Sequence, residues 1–208
     1  MKNPALKYFL ISLIIIIIDQ VVKMLVHNNM TMGSSGQIMI FGSWFKLHYL
    51  TNPGMAFGLK LNFVYGKLIL TVFRIGAMFA IGYYLYSLVQ KEAHKGLLFC
   101  IALILGGAIG NLIDSIFYGV LLDNAPFDAP SAWFHGQVID MFYIDIWEGY
   151  LPDWLPLLGG DYMALWPVFN IADASIFASI CIILVFQKRF FKKEEEEDTP
   201  ELEEATST

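Results

Sequence analysis

The chain contains four apolar runs, each about as long as a membrane span. A helix needs about 20 consecutive apolar residues to cross a bilayer. With a hydrophobic fraction of 57% over 208 residues, the chain is too apolar for an ordinary soluble domain. We therefore expect an integral membrane protein built on four transmembrane helices. The expected spans are residues 8–26, 64–89, 97–117 and 169–187, with outer loops at residues 27–63 and 118–168.

Basic residues are distributed unevenly between the two ends of these spans. Lys91 and Lys95 lie between the second and third spans, further basic residues follow the fourth span, and none occurs from Ile116 to Gln187. Cytoplasmic loops of membrane proteins carry an excess of Lys and Arg. The pattern predicts that both termini lie in the cytoplasm and that both long loops lie outside.

The formal net charge of −6 comes from the C-terminal tail. Residues 194–208 contain eight acids and no base, which leaves 13 basic and 11 acidic residues in the rest of the chain. A segment this acidic and this poor in apolar residues cannot bury enough surface to fold. We predict a single membrane domain over residues 1–193 and a disordered cytoplasmic tail over residues 194–208.

One polar pattern occurs twice within the apolar runs. Asn111 and Asp114 lie late in the third span, and Asn170 and Asp173 open the fourth. Helical side chains three residues apart share a face, so each copy presents an amide beside a carboxylate. Ionisable groups are costly inside a membrane, and each therefore needs a partner or a function. The predicted topology places both copies towards the outer side.

A third acid, Asp140, lies in an apolar, strand-like run over residues 138–142, and it can face Asp173 across a cleft. Two close carboxylates cannot both ionise easily, so they share a proton. One can then take a proton from water while the other polarises a carbonyl group. Alternatively, Asp173 has a structural role and caps the N-terminus of the fourth span. The residues alone leave both interpretations open.

The first two spans also carry charged residues. Asp19 and Lys23 are four residues apart in the first span, a spacing that allows them to pair and neutralise each other on one helical face. Arg74 lies well inside the second span and has no acid three or four residues away. We expect Arg74 to reach a partner on another helix, with Asp19, Asp114 and Asp173 as the candidates.

Taken together, these patterns resemble the lipoprotein signal peptidases, the bacterial signal peptidase II enzymes. The resemblance covers all four spans in order and consists of five motifs that are weak singly but specific together. The motifs are Asp19-Gln20 with Lys23, Asn52-x-Gly54-x-Ala56-Phe57, Gly106-Gly107-Ala108-x-Gly110-Asn111-x-x-Asp114, Val138-Ile139-Asp140-Met141-Phe142 and Phe169-Asn170-x-Ala172-Asp173.

The resemblance implies an aspartic endopeptidase with Asp140 and Asp173 as its catalytic dyad, near the periplasmic face of the bacterial inner membrane. The implied substrate is a prolipoprotein whose lipobox Cys carries diacylglycerol, cut on the N-terminal side of that Cys. The implied fold is a four-transmembrane-helix bundle with a small extracytoplasmic β-cradle, formed by a strand around residues 44–50 together with residues 138–142. The implied substrate-binding residues are Asn52, Gly54, Asn111, Asp114 and Asn170, and Asp19 and Lys23 are the implied supporting polar pair.

The chain departs from the family pattern in two places. Ser115 stands where the family usually has Arg directly after the acid of the third-span motif. We hypothesise that Arg74 partly substitutes for that Arg as a supporting polar residue. The segments before and after Asp140 are also longer than a minimal member needs, and we expect them to form an interfacial lid. We expect no cofactor, no metal and no nucleic acid; the expected partners of the monomer are lipidated substrates and membrane lipids.

Other functions fit the sequence less well. Intramembrane Asp and Asn residues also build ion pathways in transporters and channels, but here the acids gather at one interface and no inverted repeat is visible. The Gly-x-Gly-Asp signature of other intramembrane aspartyl proteases is absent. His135 and Asp140 could share a metal, but no second His or Cys is nearby to complete a zinc site.

Overall fold

The computed structural model describes residues 4–53, 65–154, 159–160 and 162–191. In this part of the chain, three helices are long and apolar enough to cross a membrane by length and composition. They are α1 (Leu6–Asn29), α2 (Gly66–Gln90) and a helix over Lys95–Leu121. Their positions agree with the first three expected spans, although the third continues four residues beyond its expected end at residue 117.

The third long helix changes its geometry near its outer end. It consists of α3 (Lys95–Ile113), a wide π-helical turn (Asp114–Tyr118) and α4 (Gly119–Leu121). Such π-turns are rare and occur frequently at functional sites. The wide turn begins at Asp114, directly after the helical part that carries Asn111. The first Asn-x-x-Asp copy therefore lies where regular helix geometry ends.

The last apolar helix, α5 (Ile171–Val185), has 15 residues and is followed by a short α6 (Gln187–Phe190). It is shorter than the expected span of residues 169–187, because Asn170 caps its start and the backbone leaves helical geometry at Phe186. The structure thus has three long apolar helices and one shorter one. A fourth complete span remains a prediction.

A three-stranded antiparallel sheet contains the strands expected around residues 44–50 and 138–142. Its order is β1 (Ile38–Phe41), β2 (Phe45–Asn52) and β3 (Val138–Ile144). The register pairs Leu50 with Asp140 and Asn52 with Val138. The sheet therefore brings residue 52, at the end of β2, next to the strand that carries Asp140.

The second long loop contains a further small sheet that the sequence did not predict. Strands β4 (Glu148–Tyr150) and β5 (Tyr162–Ala164) pair in antiparallel fashion. Just beyond β5, the Trp166 ring packs edge-on against Phe177 of α5, with 5.1 Å between ring centroids. This contact attaches the base of the inserted hairpin to the first turns of α5.

Small residues let α3 approach α1 and α5 closely. A Cβ atom added to Gly106 would lie 2.8 Å from the Ser12 carbonyl oxygen of α1, and one added to Gly107 would lie 2.5 Å from the Ala172 carbonyl oxygen of α5. In membranes, small residues at such contacts allow helix backbones to pack directly. This close packing brings the start of α5 beside residue 111.

A buried apolar cluster supports the sheet from below. It contains Val26 of α1, Tyr49 of β2, Tyr118 of the π-turn, and Ile139 and Met141 of β3. Side chains alternate across a strand, so Ile139 and Met141 point to one face and Asp140 to the other. The cluster thereby fixes the strand and the direction in which Asp140 projects.

Candidate active site

Asp140 is a buried acid held between two side-chain amides. Asp140 is only 2% exposed to solvent. Its Oδ1 accepts a hydrogen bond of 2.7 Å from Asn170 Nδ2, and its Oδ2 accepts one of 3.0 Å from Asn52 Nδ2. Burial and then the nearby Asp173 carboxylate raise the pKa of Asp140 to about 7, against the opposing effect of the two amides. An acid with this pKa can hold or release a proton near neutral pH.

Asp173 lies in the first turn of α5 and forms a reciprocal cap with Asn170. The Asp173 amide N–H donates to Asn170 Oδ1 at 2.9 Å, and the Asn170 amide N–H donates to Asp173 Oδ2 at 3.4 Å. The other carboxylate oxygen, Oδ1, accepts a 2.7 Å hydrogen bond from Asn111 Nδ2. The capping role considered from the sequence is therefore present, and it orients a carboxylate that also lines a cavity.

Asn170 bridges the surroundings of the two acids. Its Nδ2 lies 2.7 Å from Asp140 Oδ1 and 3.1 Å from Asn111 Oδ1, while its Oδ1 caps the helix at Asp173. Asn170 is fully buried, so its amide is held in one orientation by these partners. One side chain thus connects Asp140 on β3 to Asp173 on α5. The sequence expectation that these acids face one another agrees with this placement.

The expected Asp19–Lys23 pair forms, and Asp114 joins it. Lys23 is fully buried, and its Nζ lies 2.7 Å from Asp19 Oδ2 and 2.7 Å from Asp114 Oδ2. It also donates to Asn111 Oδ1 at 3.0 Å. Gln20 adds a 2.9 Å hydrogen bond from Nε2 to Asp114 Oδ1. We call these four residues, Asp19, Gln20, Lys23 and Asp114, the buried ion cluster.

The buried ion cluster holds the backbone beside each candidate acid. Asp114 Oδ2 accepts from the N–H of Ile139, the residue before Asp140, at 3.3 Å. Asp19 Oδ1 accepts from the N–H of Ala172, the residue before Asp173, at 2.9 Å. Charge-assisted hydrogen bonds to backbone N–H groups are stronger than neutral ones. Asp19 and Asp114 therefore act here as anchors for the two chain segments that carry the other acids.

Arg74 contacts the serine that follows Asp114. Its Nη1 donates to Ser115 Oγ at 2.9 Å, and that hydroxyl donates in turn to the Asn111 carbonyl oxygen at 2.9 Å. The guanidinium also interacts electrostatically with Asp173, and more weakly with Asp114 and Asp140. Arg74 thus reaches another helix, as expected, and the hydrogen-bond partner there is Ser115, which was not among the three candidate acids.

A cavity of about 680 Å³ opens beside Asp173. Its lining includes both polar and apolar side chains. The polar end contains Asn52, Arg74, Asn111 and Asp173, and the apolar wall contains Leu165, Trp166, Pro167, Val168, Phe169 and Phe177. Binding pockets commonly combine apolar walls with a few placed polar groups. The lining therefore suits a ligand that has both polar and apolar parts.

Some site residues were not foreseen, and one lies outside the described residues. Gly54 belongs to the latter group, so its predicted role in substrate binding remains a prediction. Gln20 and Tyr118 were not predicted as site residues, yet Tyr118 Oη donates to Gln20 Oε1 at 2.9 Å. A polar amide beside Asp19 in an apolar run was the available indication for Gln20. Lys67, whose Nζ donates to the carbonyl oxygen of Pro53 beside Asn52, was also not predicted. A Lys near a helix end is usually explained by snorkelling to the interface.

Comparisons with known proteins agree on one family. Residues 11–189 match the sequence profile of the family described as signal peptidase (SPase) II. A lipoprotein signal peptidase of Amoebophilus asiaticus is 50% identical over 186 residues, which cover 89% of this chain and 79% of the relative. One from Porphyromonas gingivalis is 42% identical over 187 residues, covering 85% of this chain and 80% of the relative.

A solved structure has a similar fold. It is described as a bacterial membrane enzyme structure by the in meso method at 2.3 Å resolution, and it covers 91% of this chain and 93% of its own. The TM-score is 0.57 at 24% sequence identity. At this identity, the likeness establishes the fold alone.

Proposed function

Because the chain belongs to the signal peptidase II family, we propose that Asp140 and Asp173 are the catalytic dyad with which it removes signal peptides from diacylglyceryl-modified prolipoproteins. The observation that carries this proposal is the meeting of two acids at one amide. Asn170 donates to Asp140 and caps Asp173, and Asp173 faces the cavity. Asp19 and Asp114, in contrast, are occupied by Lys23.

The proposed chemistry needs one proton shared between two carboxyl groups. The ionised acid takes a proton from a water molecule, and the water oxygen attacks the scissile carbonyl carbon. The protonated acid donates its proton to the carbonyl oxygen. With the pKa of Asp140 raised to about 7, a substantial fraction of the molecules holds the shared proton near neutral pH. Activity then falls when the pH rises above this value, because the shared proton is lost, and falls in acid when both carboxyl groups are protonated.

The cavity supports a lipidated substrate. The cut is proposed on the N-terminal side of a Cys that carries diacylglycerol, so acyl chains must lie close to the scissile bond. The apolar wall formed by Leu165, Trp166 and Phe177 lies beside Asp173. We propose that the polar end of the cavity, including Asn52 and Asn111, contacts the peptide. The apolar wall contacts the lipid.

We propose that the enzyme is a monomer with four spans, α5 being the fourth, with cytoplasmic termini and a periplasmic site. The distribution of basic residues supports this orientation. Exposed aromatic residues of the inserted hairpin support an interfacial position: Trp147 and Trp154 are 47% and 78% exposed. Tryptophan is enriched at membrane interfaces. A single domain over residues 1–193 is part of this proposal, and the predicted tail over residues 194–208 lies outside the described residues.

Asparagine substitutions test the dyad most directly. Asp140→Asn and Asp173→Asn keep the shape of each side chain but cannot transfer the proton, so we expect cleavage to fall by at least about a hundredfold. Cleavage of a purified diacylglyceryl-modified prolipoprotein by enzyme in detergent measures this. Asp145→Asn is the matched control, because Asp145 directly follows β3, the strand that carries Asp140, but pairs with Lys46. Appreciable turnover by either Asp140→Asn or Asp173→Asn would remove the assignment.

Arg74 is proposed as a supporting residue that partly replaces the Arg usually found after the third-span acid. Its bond to Ser115 and its charge beside Asp173 support this role. We expect Arg74→Met to lower the cleavage rate by about tenfold or more, as for loss of a hydrogen bond from a charged donor. Arg189→Met, at the far end of the chain, serves as the control. An Arg74→Met enzyme with unchanged cleavage would contradict the role.

A further inference from the structure

Lys67 holds the end of the strand that reaches Asp140. It lies in the first turn of α2, and its Nζ donates to the Pro53 carbonyl oxygen at 2.6 Å. A longer contact of 3.5 Å joins it to Ser115 Oγ. Pro53 directly follows Asn52, which is the last residue of β2. The Lys67 side chain of α2 thus binds the backbone next to Asn52, a residue of the site.

The side chain of Asn52 depends on where this strand end is held. The register of β2 and β3 ends at the pair Asn52 and Val138. Pro53 has no amide hydrogen, so its N cannot extend the ladder. Its carbonyl oxygen is the group through which the strand end is attached to α2. From this position, Asn52 Nδ2 donates to Asp140 Oδ2 at 3.0 Å.

We infer that Lys67 is a positioning residue for the proposed dyad, because its bond to the Pro53 carbonyl keeps the Asn52 amide on Asp140. The inference rests on the proposed function of Asp140 and deepens it. Lys67 acts here through Asn52 and makes no contact with the carboxylate itself. The 2.6 Å contact is short for a hydrogen bond from nitrogen to oxygen, which suits a fixed attachment.

The other charged groups around Asp140 come from α1, α2, α5 and the π-helical turn. Asp173 of α5 raises the pKa of Asp140 and Lys23 of α1 lowers it. Arg74 of α2 interacts with Asp140 electrostatically. Asp114 binds the N–H of the preceding residue, Ile139. The Asn52 hydrogen bond favours the ionised form of Asp140 and so lowers its pKa. Losing this bond makes the pair hold its proton to higher pH.

The expected result is a shift of the alkaline limb of the pH profile. In Lys67→Met, the limb of kcat/KM should move to higher pH by about half a unit to one unit, as for loss of a hydrogen bond to a carboxylate. Asn52→Ala should show the same shift, and the double variant should shift no further. Lys67→Arg, which keeps a donor of similar reach, should retain the wild-type limb. Lys95→Met, on the cytoplasmic side in the predicted topology, is the control.

The measurement is cleavage of a synthetic diacylglyceryl-modified lipobox peptide across pH by the full-length enzyme in detergent. Shifts that add in the double variant would overturn the inference, since they indicate a direct charge effect of Lys67. A lower rate with an unmoved limb would also overturn it, as would a Lys67→Arg shift equal to that of Lys67→Met. If Lys67→Met does not fold, Lys67→Gln replaces it in the same cycle. Failure of the dyad itself is separate, because it appears as turnover by Asp140→Asn.

Discussion

The two Asn-x-x-Asp copies have the same spacing and different surroundings. In the first, Asp114 is fully buried and bound by Lys23 and Gln20. In the second, Asp173 has one amide partner on another helix, Asn111, and borders the cavity. The first copy ends a helix, so its acid turns inward towards α1. The second opens a helix, so its acid lies in the first turn and combines capping with access to the cavity.

This difference shows that a carboxylate in a membrane protein can be held by its partners in two distinct ways. Asp114 is kept ionic by a buried cation and anchors the backbone N–H of Ile139. Asp173 accepts hydrogen bonds from amide groups, and the Arg74 guanidinium interacts with it electrostatically. We propose that the group hydrogen-bonded to the carboxylate, a buried lysine ammonium or an amide, separates an anchoring acid from one that can exchange a proton. Variants that remove one kind of partner test this distinction.

Removing the charge of Asp114 should have the largest effect on stability. Asp114→Asn leaves Lys23 with one fewer anion in a fully buried position, and breaking a buried ion pair typically lowers the free energy of unfolding by about 3 kcal/mol or more. SDS-induced unfolding of the purified enzyme measures this loss. Asp145→Asn removes the partly exposed pair with Lys46 and should cost about 1 kcal/mol or less. Equal losses in the two variants would contradict the anchoring role of Asp114.

Separating α3 from α5 should have the next largest effect. Gly107→Ala places a Cβ against the Ala172 carbonyl oxygen, so the two helices must move apart and the bond between Asn111 and Asp173 must lengthen. Overpacking of this kind costs about 1–3 kcal/mol. We expect lower unfolding resistance together with slower cleavage. The control is Gly82→Ala, whose Cβ meets open space and should leave both measurements near wild type. If Gly107→Ala behaves like Gly82→Ala, the close contact is not important.

Asn170→Ser separates helix capping from the bridge to Asp140. Serine is also a good N-cap, so the free energy of unfolding should change by only about 0.5 kcal/mol, whereas Asn170→Ala should lose about 1 kcal/mol. Both variants lack the amide that donates to Asp140, and cleavage should slow by about tenfold in both. Rates are compared with the unfolding data for the same preparations. Wild-type cleavage by Asn170→Ser would show that only the cap is needed.

Much of the fold was predictable because its determinants are local. The lengths of the apolar runs predicted the positions of three long helices. The family suggested by the five sequence motifs is confirmed by the match over residues 11–189. The length of α5 was overestimated, since hydropathy does not detect the backbone change at Phe186.

The sequence indicated several of the polar residues that meet at the candidate site, but not the contacts between them. Spacing alone showed that Asp19 and Lys23 can pair, because they are four residues apart on one helix. It did not show that Asp114 would join them, since that contact depends on how α1 and α3 pack. The hydrogen bond from Lys67 to the Pro53 carbonyl oxygen was equally unpredictable, because it connects a helix to a strand end. Contacts between elements are set by tertiary packing, for which one sequence gives little direct information.

The bond between Asp19 and the Ala172 N–H joins residues 153 positions apart in the chain. Asp173 is therefore supplied and anchored only after nearly the whole polypeptide has been made. A nascent chain that ends before α5 contains the residues of the buried ion cluster and Asp140 but lacks the other acid of the proposed dyad. During synthesis at the membrane, the proposed protease is consequently inert until its last apolar helix has inserted and docked. The order of the helices along the chain thus delays proteolytic activity to the final step of biogenesis.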